Sequence, residues 1–191
     1  MIPVGGIPLE EYAYILDYLP QGLPGGGFTK KEPVCYALGD EEFKLFELVP
    51  KANATVIIGD RVFIGKDTAE RKRDVIDHVK RRVNFNDLNN NATAELEYSI
   101  TEIVLANQPR FIRFFNEAEA ISMRKHLLEE LPGLGKKSMT AILDERKKEP
   151  FKDFADLAAR TGIKTPEKLI TARIILEIED PDRKRYLFVS R

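Results

Sequence analysis

A chain of 191 residues with 43% hydrophobic and 9% aromatic side chains can bury a core as one large domain or two small ones, which excludes a disordered polypeptide. A net charge of -1, from 30 Lys+Arg against 31 Asp+Glu, excludes a uniformly basic coat for nucleic acid and leaves only a local patch as a polyanion site. With Cys35 the single cysteine and His78 and His126 the only histidines, no disulfide framework or cysteine-based zinc site can form within one chain, and neither a run of 18 apolar residues nor a secretory leader is visible; a soluble, cytoplasmic protein without cofactor or metal is expected.

In chain order, apolar runs at Tyr12 to Leu19, Val34 to Leu38, Phe43 to Val49, Thr55 to Ile58, Arg61 to Ile64 and Val75 to Phe85 read as strands. They predict a small β-barrel over residues 1-88. Pro20 to Gly27 is glycine-rich but lacks the spacing and following helix of a nucleotide-binding fingerprint, so a loop is expected there. Gly39-Asp40 and Gly59-Asp60 separate apolar runs, as in hairpin turns where glycine supplies positive φ. Alternation points Val62 and Ile64 inward and Arg61 and Phe63 outward; it sets Val79 and Val83 against His78, Lys80 and Arg82. An outer face carrying Arg61, Phe63, His78, Lys80 and Arg82 is similar in pattern to oligonucleotide-binding barrels of the OB type, with Phe63 stacking on a base while the cations track the backbone. A solvated strand face with one isolated aromatic explains the same pattern equally well. Lys66, Arg71, Lys72 and Arg73 form another basic cluster, diluted by Asp67, Glu70 and Asp74 into an ordinary solvated loop.

Asn86 to Asn91 is a polar break after which the apolar period changes from two to about 3.6 residues. A second, helical domain is therefore predicted over residues 89-191. Leu96, Ile100, Ile103 and Val104 share one helix face, which Gln108-Pro109 interrupts before Phe111, Phe114 and Phe115 begin another. Asn116 and Glu119 have capping-box spacing for a helix carrying Ile121, Leu127, Leu128 and Leu131.

Leu131-Pro132-Gly133-Leu134-Gly135-Lys136-Lys137-Ser138 follows, continued by Ala141-Ile142-Leu143 and Arg146. Proline ends one helix, and two glycines permit a tight turn that approaches a ligand without side-chain obstruction. The next helix start offers unpaired amides and a positive dipole end for a phosphate. Lys136 and Lys137 add charge, and Leu134 is expected to plug the gap between the helices. This segment closely resembles the hairpin of the helix-hairpin-helix family, with the first hairpin at 131-137. The resemblance implies that Gly133, Leu134, Gly135, Lys136, Lys137 and Ser138 form a phosphate grip insensitive to base sequence. Pro150 to Leu157 is similar to the connector helix of paired hairpins, and Thr161-Gly162-Ile163 to the start of a second, degenerate hairpin at 161-166. There Gly162, Lys164 and Lys168 are the weaker candidate contacts: Lys164 replaces the usual second glycine, while Thr165 can cap a helix beginning at Pro166. Met139 stands where the family carries a small residue. A hairpin that merely packs, with Leu169, Ile170, Ile174 and Ile178 on a buried face, is the plainer alternative.

Arg183 to Phe188 mixes cations with aromatics and suits either nucleic-acid contact or docking of a tail. The whole pattern resembles an uncharacterised archaeal family of predicted RNA-binding proteins, in which an OB-like barrel precedes paired hairpins. The implied protein is a two-domain α+β, non-enzymatic nucleic-acid binder, RNA ahead of DNA, with no membrane partner, acting within a ribonucleoprotein or the transcription machinery. The alternatives are a protein-interaction scaffold in transcription or translation, and an enzyme of the glycosylase or nuclease kind that shares the hairpin. For the latter, Asp153 and Asp156 are the available carboxylates, and they read better as helix N-cap and first-turn acid.

Overall fold

The computed structural model describes residues 10–24 and 31–190. The expected glycine-rich loop thus lies partly outside the described residues. Two compact units are distinguished: one takes in the chain up to Ser99 and again from Glu177, the other runs from Ile100 to Leu176.

The first unit holds a five-stranded sheet made of β1 (Tyr12–Leu19), β2 (Val34–Gly39), β3 (Leu45–Pro50), β4 (Arg61–Phe63) and β5 (Ile76–Val83). Its order is β4-β1-β2-β3-β5, all neighbours antiparallel, so among the described residues β4 and β5 are the edges of a curled half-barrel. Ala13, Ile15, Cys35, Ala37, Leu48, Val62 and Ile76 cluster in its core, each large aliphatic contributing about 1.5–3 kcal/mol by leaving water. Burial pushes the Cys35 thiol up to about 12, so it serves as a small hydrophobe. A bulge at Leu16 lets Ile15 face this core while Asp17 turns to the other side opposite Tyr36. There Tyr36 also opposes Glu47, and Glu47 opposes Arg81, whose guanidinium holds the buried carboxylate at 2.7 and 3.0 Å.

Three strand-level expectations change. Thr55 to Ile58 is a loop: Gly59 and Asp60 already bond to the backbone of Ile15, and Gly59 at φ +91 breaks the run. Gly39 does not serve a positive φ; that role in its turn falls to Phe43 at φ +60. Gly39 is needed for space, because a Cβ there would fall inside the Glu10 side chain. Glu10 is buried and accepts the amides of Glu41, Glu42 and Lys44 at 2.8, 2.7 and 3.4 Å. Burial pushes its carboxyl up, partly opposed by those three bonds. In β5 the simple alternation fails. The register with β3 slips twice, leaving Asp77 and Lys80 without an opposite residue. Val79 faces Leu48, Arg82 faces Phe46 and Val83 faces Leu45, so Val79 and Arg82 line one groove together instead of opposing faces.

The tail docks on this unit. Glu177 Oε1 accepts the amides of Leu187, Phe188 and Val189 at 2.9, 3.0 and 3.0 Å, and Ser190 donates to the Glu42 carbonyl.

The helices are α1 (Asn90–Ala106), α2 (Gln108–Glu117), α3 (Lys136–Lys148), α4 (Phe154–Thr161) and α5 (Pro166–Glu179). Asn89 caps α1 through Ala92 N and also donates to Asp17. Asn107 separates α1 from α2, whose second position is Pro109, where the missing N–H is not needed. In the second unit Ile100, Ile103, Val104, Phe111, Phe115, Leu128, Ile142, Leu157, Ile170 and Ile174 are buried. The predicted helix from Asn116 to Leu131 is not formed. Asn116 lies in the last turn of α2, and its amide is spent on the main chain of Phe151, accepting at 2.7 Å and donating at 2.9 Å. A tight turn follows, bridged between Ala120 and His126, then a single 3₁₀ turn over Leu127–Glu130. Arg160 closes the other end of α3, donating to the carbonyls of Glu145 and Glu149 and lying over the Phe151 ring.

Candidate functional site

His126 begins the approach to the hairpin by accepting Leu128 N at 3.0 Å, while Glu129 returns to His126 N at 2.6 Å. Burial, with Arg146 nearby, pushes the imidazole pKa down. Leu131 is buried, Gly133 takes φ +87, and Leu134 N reaches back to Leu131 O. Gly135 is different: at φ -81 and ψ 167 it is extended and forms the N-cap of α3. Of the two glycines, only Gly133 takes a positive φ. Leu134 is half-buried rather than fully buried, because the element before it is a short 3₁₀ turn that presents less surface than a full helix.

Gly135 offers no side chain to cap α3, and the first turn carries no acid. The amides at the start of α3 therefore point outward without a cap. A Cβ on Gly135 would meet nothing within 4 Å, so the approach is open. Lys136 and Lys137 are exposed, Ser138 is half-buried, and no described residue pairs with either lysine. Amides, helix dipole and two cations thus converge on one accessible spot, the arrangement that holds an anion.

The second candidate hairpin is built otherwise. Gly162 closes α4 in the left-handed region at φ +80 and donates to Ala158 O. Lys164 and Lys168 are exposed, but Lys168 N is taken by Thr165 O and Glu167 stands in the first turn of α5, which disfavours an anion. Ile170 and Ile174 are fully buried there, with Leu169 and Ile178 half-buried. Met139 is accommodated half-buried.

The five sheet candidates are not brought together. Phe63 is half-buried, tilted against Tyr12 at 5.4 Å with Arg71 over its ring, and it shares a groove with Arg82. Arg61 is committed to Asp40 at 2.7 Å and to the Tyr12 ring. His78 sits on Asp77 at 2.7 Å, and Lys80 is the bulged residue. In the basic loop, Arg73 is structural: it donates to the carbonyls of Ile64, Gly65 and Asp77.

Asp153 caps α4 by accepting Asp156 N, and Asp156 accepts Lys152 N and pairs with Arg160. The Lys152 amide leads the causes that pull the Asp156 carboxyl down. Among the described residues, no group of three or more His, Cys, Asp or Glu could hold a metal ion, and no helix is long and apolar enough to cross a membrane. Sequence reasoning missed Phe46 in the groove and Arg173 behind the hairpin. An arginine between Ile170 and Ile174 was the available signal for the second, since a charge on an apolar helix face requires a buried partner.

Comparison with known proteins gives consistent matches. A family profile described as "Protein of unknown function (DUF655)" matches residues 9–190. The uncharacterized protein MJ0038 of Methanocaldococcus jannaschii is 43% identical over 182 residues, covering 95% of this chain and 80% of that protein. The crystal structure of Af1531 from Archaeoglobus fulgidus, assigned to the same family, superposes with a TM-score of 0.86 at 42% identity, covering 95% of this chain and 100% of that one.

Proposed function

The chain belongs to the DUF655 family of proteins of unknown function, and we propose that it is a non-enzymatic nucleic-acid binder that grips phosphates through the turn at 131–138. The observation that carries this is the uncapped, unobstructed start of α3 with two unpaired lysines. It supports reading the turn as a grip of the helix-hairpin-helix kind, indifferent to base sequence, in which a 3₁₀ turn over Leu127–Glu130 stands in place of the first helix, with the degenerate turn at 161–166 completing the core. Engagement of Asp153 and Asp156 in helix capping leaves neither poised as a base, which favours binding over catalysis. The curled sheet is compatible with an OB-like partner domain for single-stranded or structured RNA.

The test is a salt titration. About three or four phosphate contacts should weaken binding roughly tenfold to hundredfold between about 50 and 200 mM salt, with little change in sequence preference. Lys137→Glu should weaken binding more than Lys168→Glu. RNA and DNA affinities that stay equal for wild type and variants at every salt concentration would make the hairpin structural; absence of any binding would move the chain to a protein scaffold, which its net charge of -1 also suits.

A further inference from the structure

Because β4 and β5 do not close the sheet, a groove of about 850 Å³ remains in the first unit. Its apolar wall is Phe46, Phe63, Ile64 and Val79. Several charges around it are already spent. Glu10 is turned to the amides of the 41–44 turn, Arg73 is bound to three carbonyls, Arg71 pairs with Glu11 at 3.5 Å and Lys44 with Glu42 at 2.5 Å. Lys66 and Arg82 also line the groove, and no described residue pairs with them.

We propose that this groove binds one unpaired nucleotide, the base against Phe46 and Phe63 and the phosphate held by Arg82 and Lys66. The choice of ligand rests on the nucleic-acid reading above, whereas the site lies in the other unit and shares no residue with the hairpin. A guanidinium offers parallel donors to a phosphate, and an aromatic wall accepts the face of any base. Two aromatic rings in the lining suit a flat ring better than an acyl chain, and the volume falls in the range of small-ligand sites, about 300–1,000 Å³. The slips in β5 register create the site, since they carry Arg82 round to the side of Val79 and Phe46. The ligand can be a free nucleotide or one splayed from a single strand; the chemistry is shared.

The full chain, with methyl groups labelled for NMR, is titrated with a nucleoside monophosphate, a single-stranded hexanucleotide and a short duplex. The expected result is that the hexanucleotide shifts the Ile64 and Val79 methyls. Arg82→Ala should then weaken the hexanucleotide about tenfold, as loss of one hydrogen bond to a charged group does, and leave duplex affinity unchanged. A monophosphate shifting the same methyls identifies free nucleotide as a ligand; no response to it while the hexanucleotide acts identifies a strand. Val79→Trp, which fills the groove, should abolish both responses, and Arg82→Ala keeps the test valid where that variant fails to fold. Hexanucleotide binding that shifts only resonances of residues 131–138 overturns the groove and leaves the hairpin reading standing. Failure of the monophosphate and of every oligonucleotide to bind overturns both.

Discussion

Arg173 is 1% exposed and donates from one nitrogen to both the carbonyl and the carboxylate of Glu130, at 3.2 and 3.0 Å. It thereby fixes the residue that leads into the candidate phosphate turn. Arg173→Met should destabilise the helical unit by about 3 kcal/mol, the low end for breaking a buried ion pair, because Lys125 still holds Glu130 at 2.9 Å. Denaturant unfolding measures this, and faster amide exchange at Leu131 and Leu134 should accompany it. A cost below about 0.5 kcal/mol, typical of a surface pair, would show that the contact does not anchor the turn.

The two glycines of the turn should respond in opposite ways. Gly133→Ala forces a side chain into the left-handed region and should cost about 1–2 kcal/mol. Gly135→Asp meets open space and supplies the missing N-cap, so it should raise stability by about 0.5 kcal/mol. The same carboxylate occupies the amides and repels phosphate, so nucleic-acid affinity should fall at least about tenfold, the reach of one charged contact. Thermal melting and a binding isotherm on one sample decide it. A stabilised variant that binds as well as wild type removes the phosphate site.

His126 makes the approach to that turn pH-sensitive. Its Nδ1 accepts Leu128 N only while unprotonated, and its folded pKa lies below the unfolded 6.5. The unfolded chain therefore binds the proton first as pH falls. The bond's contribution is complete above the unfolded value and is lost on acidification through the folded one. Replacing His126 with Asn supplies an acceptor that does not titrate, so the loss of stability as pH falls below about 6.5 should flatten. Parallel slopes for the two proteins would rule the histidine out.

In the sheet unit, Glu10 and Gly39 should be strongly coupled. Gly39→Ala expels the Glu10 carboxylate from the three amides it holds, whereas in a Glu10→Ala background the atoms that the new Cβ meets first are gone. A double-mutant cycle should return a coupling above about 1 kcal/mol, and additive costs would mean that the two residues do not compete for volume.

Local sequence signals located the strands well: β1 begins and ends where its apolar run does, and β2, β3, β4 and β5 differ from theirs by a residue or two. The helical run expected to break at Gln108-Pro109 breaks one residue earlier, at Asn107, and α2 takes Gln108 and Pro109 as its first two positions. Three of the failures share one cause, a role set by a residue far away in the chain. Asn116 looked like a cap because nothing nearby reveals Phe151, and Gly39 looked like a turn former because nothing nearby reveals Glu10. The slips in β5 are the costliest case. They arise from pairing with β3, so no period read along β5 could separate Arg82 from His78 and Lys80. The open start of α3 was legible because its determinants, Gly135, Lys136 and Lys137, are adjacent in sequence.

The three amides gathered by Glu177 have a consequence for the order of synthesis. Residues 177–190 belong to the unit that contains the sheet, so that unit is split in sequence and the helical one is encoded as an insertion within it. On a ribosome the sheet strands emerge first, yet the Glu177 clasp and the 187–190 segment arrive only after residues 100–176 have been made. Helical segments with mostly local contacts close quickly, whereas the split unit must wait for a distant piece of chain. Nascent chains held at a length where residues up to Leu176 have cleared the ribosomal tunnel and residues 177–190 have not should therefore protect the helical core from protease while leaving the edges of the sheet open to it.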